Sequence, residues 1–227
     1  MTTEKGNNSS VGAYYSHTRS EMLNLLPSSY SKVLEIGCGA GGFARQLSRS
    51  AEIWGVEPDE ASAEVARQYI AKVLCGTYDA VADLLPDGYF DLVVCNDVIE
   101  HMNDHDRFLE TIKKKLQKNG FLVGSVPNVR YYRNLFDLVL RADWRYREQG
   151  VLDRTHVRFF TKRSLKRSLE HAQFRVESLK GITSATGKVQ DIADVLKVAT
   201  LLPLALLSFG FLADIRFLQI AFRVRYD

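Results

Sequence analysis

The sequence predicts an α/β fold built on a seven-stranded, mostly parallel sheet with helices on both faces and an antiparallel C-terminal strand. Three observations predict it. Short apolar runs alternate with segments of helical period between residues 23 and 125. The first apolar run stops in a cluster of glycines, Gly37, Gly39, Gly41 and Gly42, as a strand does before a sharp turn. Two further apolar runs, at 174–179 and 217–226, follow the last predicted parallel strand and bring the count to seven.

Residues 23–26 end a helix before Pro27, whose ring cannot continue one. Residues 32–36 (KVLEI) form a strand, 43–50 a helix, 52–56 (EIWGV) a strand, and 60–71 (EASAEVARQYIA) an amphipathic helix. The alternation goes on through a strand at 73–75, a helical turn at 80–85, a buried strand at 90–95 (FDLVVC), a helix at 104–116 and a strand at 120–125. Five parallel strands thus precede residue 126. Residues 127–158 are rich in Tyr, Arg and Trp without a clear period, the character of a segment that covers a site. A helix at 162–172 and the two remaining strands complete the order.

A chain of 227 residues with 46% hydrophobic and 25% charged content fits a single domain over 1–227. Within it, 1–12 reads as a flexible lead-in, and 127–160 and 181–214 as insertions that cover the substrate or form an interface. A net charge of +3, from 30 basic and 27 acidic residues, leaves no footprint for nucleic acid. Cys38, Cys75 and Cys95 make no C-x-x-C pair, and the polar N-terminus is unlike a secretory signal; both fit a cytoplasmic protein. The 15 residues 198–212 (VATLLPLALLSFGFL) are apolar but fall short of the ~20 a spanning helix needs. Core burial, a homodimer interface and peripheral docking on a membrane all stay open for them.

The chemistry concentrates at Glu35-Ile36-Gly37-Cys38-Gly39-Ala40-Gly41-Gly42, with Glu57 twenty residues past Gly37 at the end of the second strand. Glycines let the backbone approach a ligand closely, and an acidic side chain there accepts from two ribose hydroxyls. The motif also satisfies G-x-G-x-x-G, so by spacing alone it serves a dinucleotide equally well. Glu35 discriminates: its carboxylate repels a pyrophosphate and attracts the ammonium of a methionine moiety.

On VLEIGCGAGG (33–42), GVEPD (55–59) and FDLVVCNDVIEHM (90–102), the chain resembles the class I S-adenosylmethionine (SAM)-dependent methyltransferases over nearly its whole length. That resemblance implies a Rossmann-like sheet, SAM as methyl donor and S-adenosylhomocysteine as product. It places Gly37, Cys38, Gly39 and Gly41 along the methionine and ribose side, Glu57 on the ribose and Pro58 beside the adenine. Asn96, Asp97 and Val98 fall near the methionine part and the reacting methyl. The chain departs from the family after the third strand, where an acidic residue often meets the adenine amino group. Cys75-Gly76-Thr77-Tyr78-Asp79 stands there, so that contact passes to Thr77, the Tyr78 backbone or Asp79.

Ser125-Val126-Pro127-Asn128 and 151–161 (VLDRTHVRFFT) are similar to bacterial methyltransferases of surface polysaccharide and other glycan assembly, which implies a small or carbohydrate-like acceptor. A hydroxyl acceptor needs a base, and histidine titrates near neutral pH. His156 is the first candidate and His101, four residues after Asp97, the second; a loop-ordering or helix-capping role is the alternative for each. Asn128, Tyr131, Arg154 and Arg158, with Tyr132 and Arg133, are candidates for acceptor contact, or the arginines form a solvated basic face. Tyr14 and Tyr15 read either as a lid or as a staple for the first helix. His101 and His105 stand at i, i+4 beside Asp104 and Asp106 but lack a distant third ligand, so no metal is expected.

These readings converge on methyl transfer to a hydroxyl of a small or carbohydrate-like acceptor. N-methylation of an amino sugar or small amine is the close alternative. An NAD(P)-dependent oxidoreductase calls for an apolar residue at position 35 and a Tyr-x-x-x-Lys constellation; Tyr69 is followed four residues on by Val73, and Tyr78 by Ala82. A binding module without catalysis is the remaining alternative.

Overall fold

The structure, a computed structural model, describes residues 19–182 and 213–227. Tyr14, Tyr15, the lead-in 1–12, the apolar run 198–212 and most of the 181–214 insertion lie outside the described residues.

Seven strands form one sheet: β1 (Lys32–Ile36), β2 (Glu52–Glu57), β3 (Lys72–Cys75), β4 (Phe90–Asn96), β5 (Leu116–Pro127), β6 (Arg175–Ile182) and β7 (Gln219–Arg225). Their order is β3-β2-β1-β4-β5-β7-β6. The first five are mutually parallel, and β7 runs antiparallel to both neighbours, as the sequence predicts. In β1 and β4 successive side chains alternate between two cores. Leu34 and Val93 face the layer that holds Phe108, Ile112, Leu165 and Leu169. Val33, Leu92 and Val94 face the layer that holds Met22, Leu47, Ala66 and Ile70. Burial on both faces is why these strands read as continuous apolar runs instead of alternating ones.

The helices are α1 (Glu60–Ala66), α2 (Tyr78–Val81), α3 (His105–Lys115), α4 (Tyr132–Leu140) and α5 (Lys162–His171). Asp59 caps α1 by accepting from Ser62 N–H at 2.8 Å, and Asp104 caps α3 by accepting from Arg107 N–H at 2.9 Å. Thr161 and Ser164 close a capping box on α5.

Three local expectations change. Residues 43–50 hold only a short 3-10 turn, Ala44–Gln46. Ser48 N–H donates to the Tyr30 hydroxyl and Ser48 Oγ pairs with Ser50 Oγ, local bonds that compete with a helix. Residues 20–25 likewise form a 3-10 helix, Ser20–Leu25, before Pro27. The 127–158 segment contains α4, of which only Tyr132 is buried, while Val139 and Leu140 are 72% and 64% exposed. Among the described residues no helix is long and apolar enough to cross a membrane.

Candidate active site

The chain leaves β1 toward β2 and β3, then crosses back to β4 on the other side of β1. Strand order reverses between β1 and β4, and the crevice at the carboxyl ends of the strands there is where open α/β sheets bind ligands. The sequence places Glu35 to Gly42, Glu57 and Asn96 to Val98 at that end.

Gly37, Gly39 and Gly41 have φ of 68°, 51° and 76°, a conformation that favours glycine. A Cβ on Gly37 would also lie 3.0 Å from Val98 Cγ2, so the bare backbone is required on both counts. The turn is pinned to the next strand: Gly37 N–H and Cys38 N–H donate to the Val56 carbonyl at 2.8 and 3.2 Å, and Gly39 N–H donates to Glu57 Oε2 at 2.8 Å. Glu57 Oε1 accepts from Asp59 N–H at 3.0 Å. Each carboxylate oxygen keeps lone-pair capacity for a further donor.

Glu35 is buried, and its Oε2 finds no hydrogen-bond partner among the described residues. Burial first, and the neighbouring Glu57 second, push its carboxyl up to about 8. Burial also raises Glu57, against the pull of the Asp59 and Gly39 amides. Cys38, buried beside both acids, has its thiol pushed up by burial and by the two negative charges. Two neighbouring carboxyls with one orphaned oxygen make a pocket that favours a cation. The residues fit the group the sequence implies: Glu35 suits the ammonium of SAM, Glu57 its ribose hydroxyls, and the glycine turn a close backbone approach.

At the end of β4, both amide atoms of Asn96 are buried without a partner among the described residues. Asp97 follows at φ 54°, unusual for a residue with a Cβ, with its N–H on the Ser125 carbonyl at 3.0 Å. Its carboxylate accepts from Gln219 Nε2 at 2.7 Å and forms an ion pair with Arg19, which also donates to Gln219.

A second cluster lies next to this segment. Val157 N–H and Arg158 N–H donate to the Glu100 carbonyl at 2.9 and 3.0 Å, zipping the loop that carries His156 to the turn that carries Glu100 and His101. The His101 and His156 rings meet edge to face with centroids 4.8 Å apart. Burial holds the Glu100 carboxyl up to about 8 and pulls His101 down, the latter helped by His156. Both candidate bases therefore share one site with Glu100, a residue that sequence reasoning passed over. The Glu100-His101 dipeptide directly after a buried strand was the signal available. Arg19 and Gln219 were also missed, because they stand 200 positions apart in the chain.

Several candidates take other roles. Asn128 is fully buried and its side chain is spent on the backbone: Nδ2 donates to the Asp214 and Phe217 carbonyls at 2.9 and 3.0 Å, and Oδ1 accepts from Arg130 N–H at 3.1 Å. It orders a junction and is not available to an acceptor. The Tyr78 ring packs edge to face on Phe108 in the core, with centroids 5.0 Å apart, leaving only its backbone for a ligand. Tyr131 is buried against Tyr132. Arg154 pairs with Glu148 at 2.8 Å and Arg158 donates to the Asn103 carbonyl, the behaviour of a solvated basic face. Thr77 and Pro58 are exposed near the carboxyl ends of β3 and β2. His105 turns away from His101 and pairs with Ser168 Oγ at 3.1 Å.

Comparison with known proteins agrees with this geometry. Residues 10–179 match the family described as "Methyltransferase domain". A Bradyrhizobium diazoefficiens protein named ubiquinone biosynthesis O-methyltransferase is 35% identical over 104 residues, 43% of this chain and 40% of the relative. The mitochondrial protein of that name from Schizosaccharomyces pombe is 27% identical over 162 residues, 68% of this chain and 58% of the relative. The chain thus spans about half the length of these curated relatives. Among solved structures, a SAM-dependent methyltransferase from Archaeoglobus fulgidus superimposes with a TM-score of 0.63 at 21% identity, over 94% of this chain and 93% of that one, a likeness of fold. The family match removes the oxidoreductase alternative, and family and fold imply SAM as the cofactor. A carboxylate-edged glycine turn at the switch point of this sheet order, matched over most of its length, places the chain in the methyltransferase-domain family.

Proposed function

We propose that the chain transfers the methyl group of SAM to an oxygen atom of a small acceptor. The observation that carries the reading is the pair of buried carboxyls, Glu35 and Glu57, on either side of the Gly37 to Gly41 turn: Oε2 of Glu35 has no hydrogen-bond partner among the described residues, and Glu57 is hydrogen-bonded to the turn. Glu35 neutralises the donor's ammonium, Glu57 holds its ribose, and the glycine backbone admits it. Bound there, the donor supplies an activated methyl: the acceptor oxygen forms the new C–O bond as the C–S bond breaks, its electron pair staying on sulfur.

The side chains near Asp97 align the acceptor, and its hydroxyl proton must leave. The Glu100, His101 and His156 group, on the turn that follows Asp97, supplies titratable groups for it, and the three share one space. Oxygen as acceptor atom is supported by the names of both curated relatives, which are O-methyltransferases. Those names speak of ubiquinone biosynthesis, so a carbohydrate acceptor rests only on the segments 125–128 and 151–161. Cytoplasmic residence belongs to this reading and rests on the cysteine pattern.

Calorimetric titration with S-adenosylhomocysteine beside NAD tests the donor pocket: binding of the first and silence from the second is expected. Transfer of label from methyl-labelled SAM to phenolic, carbohydrate and amine acceptors tests the rest. Label on amines alone overturns the choice of oxygen.

A further inference from the structure

We propose that Glu100, His101 and His156 form a binding site for a divalent transition-metal cation of the zinc class. One ligand atom from each of the three residues lies within 4.8 Å of the others, although His156 is more than fifty residues from the other two. The turn Ile99–His101 directly after β4 brings Glu100 and His101 together, and the two backbone bonds onto the Glu100 carbonyl bring His156 to them.

The hydrogen bonds of the two rings orient them as metal ligands are oriented. Nδ1 of His156 stands 3.0 Å from the Val151 carbonyl, and Nδ1 of His101 stands 3.2 Å from the Thr155 carbonyl. A carbonyl only accepts, so the tautomer with its hydrogen on Nδ1 satisfies both contacts and leaves the lone pair on Nε2. Metal-bound histidines are oriented in the same way, their second nitrogen donating to a backbone carbonyl or carboxylate. Glu100 adds two oxygens that are buried without a partner among the described residues. Lone pairs of two imidazoles and one carboxyl converge on one point, where a cation that displaces the Glu100 proton would meet three ligands.

Asp153 stiffens the loop: its Oδ1 accepts from Thr155 N–H at 2.8 Å and Thr155 Oγ1 at 2.7 Å, and its carbonyl accepts from His156 N–H at 3.1 Å. Two imidazoles and one carboxylate suit zinc and its neighbours, and three protein ligands leave a coordination position open. The third ligand that the His101 and His105 spacing lacks is therefore His156, with Glu100 in place of His105.

The site deepens the proposed function and rests on it in one respect: if the acceptor atom is oxygen, the open position is where that oxygen binds. A hydroxyl bound to the cation loses its proton to solvent more readily, and His156 then serves as a ligand instead of a free base.

The test uses tag-free full-length protein treated with chelator and titrated with Zn2+ alone and with Co2+ alone. The expected result is one equivalent bound, with visible d–d bands from cobalt. Affinity should fall at least tenfold in Glu100→Gln and in His156→Ala, roughly the cost of removing one ligand. His101→Ala, at a half-buried ring, is the milder third variant, and titration of each protein with S-adenosylhomocysteine shows whether the neighbouring pocket is intact. Wild-type protein that takes up no stoichiometric metal, or variants that bind it as wild type does, overturn the site. Metal uptake without S-adenosylhomocysteine binding keeps the site and overturns the methyltransferase reading; the reverse does the opposite.

Discussion

Glu57 reaches back from the end of β2 to accept the Gly39 amide at 2.8 Å, so one side chain both shapes the glycine turn and stands ready for the ligand it admits. Replacement by alanine removes the ribose partner and leaves the Gly39 N–H without its acceptor. A hydrogen bond to a charged group contributes about 1.5–3 kcal/mol. Glu57→Ala should therefore weaken S-adenosylhomocysteine binding on the order of 10- to 100-fold by calorimetry, with Glu57→Gln between the two. Unchanged affinity in Glu57→Ala removes this residue from the pocket.

Glu35 makes stability depend on pH. Its carboxyl has an ordinary value of 4.5 and stands at about 8 in the folded chain, raised by burial and by Glu57, with the Cys38 thiol also beside it. Between these values the folded state binds the proton that the unfolded state has released. Stability is therefore fully present below the lower value and is lost as pH rises through the upper one. Glu35→Gln is neutral throughout, so its denaturant midpoint should gain on that of wild type between about pH 5 and about pH 9. A constant difference between the two proteins across that window refutes the assignment.

Gly55 on β2 exists for Cys38. A Cβ at position 55 would fall 2.6 Å from Cys38 Sγ and 3.2 Å from its Cβ. Overpacking of this kind costs about 1–3 kcal/mol, so Gly55→Ala should destabilise by that amount in urea unfolding. Adding Cys38→Ala removes the closer clash and should restore part of the loss. A strictly additive double variant shows that the two residues do not compete for the space.

Asn128 serves the fold. Asn128→Ala leaves two partly buried carbonyls and one amide without their partner and should cost about 2–4 kcal/mol, a few hydrogen bonds' worth. Acceptor KM should stay unchanged in the protein that remains folded. A raised KM at unchanged stability restores Asn128 to the acceptor site.

The parallel sheet was legible because strands covered on both faces leave unbroken apolar runs, as in Leu92 to Cys95, and because glycine punctuates the turn that follows β1. Glu35 and Glu57 were legible because their neighbours in the chain fix their place at strand ends. The helix α4 went unread inside a segment rich in Tyr, Arg and Trp, and it buries only Tyr132 against the rest of the fold. The role of Asn128 was hidden too, because its partners, Asp214 and Phe217, lie more than eighty residues away.

By itself the sequence determined the strand order's raw material, the glycine turn and the two acids that flank it, all set by contacts within about one β-α-β unit, where spacing along the chain is spacing in the fold. Only tertiary structure decided that Glu100 and His101 share a space with His156, that Arg19 and Gln219 close on Asp97, and that Asn128 faces inward. Such contacts join residues with no common period or motif. They arise where distant loops meet at the carboxyl ends of the central strands, and nothing in a linear chain records which loops will meet.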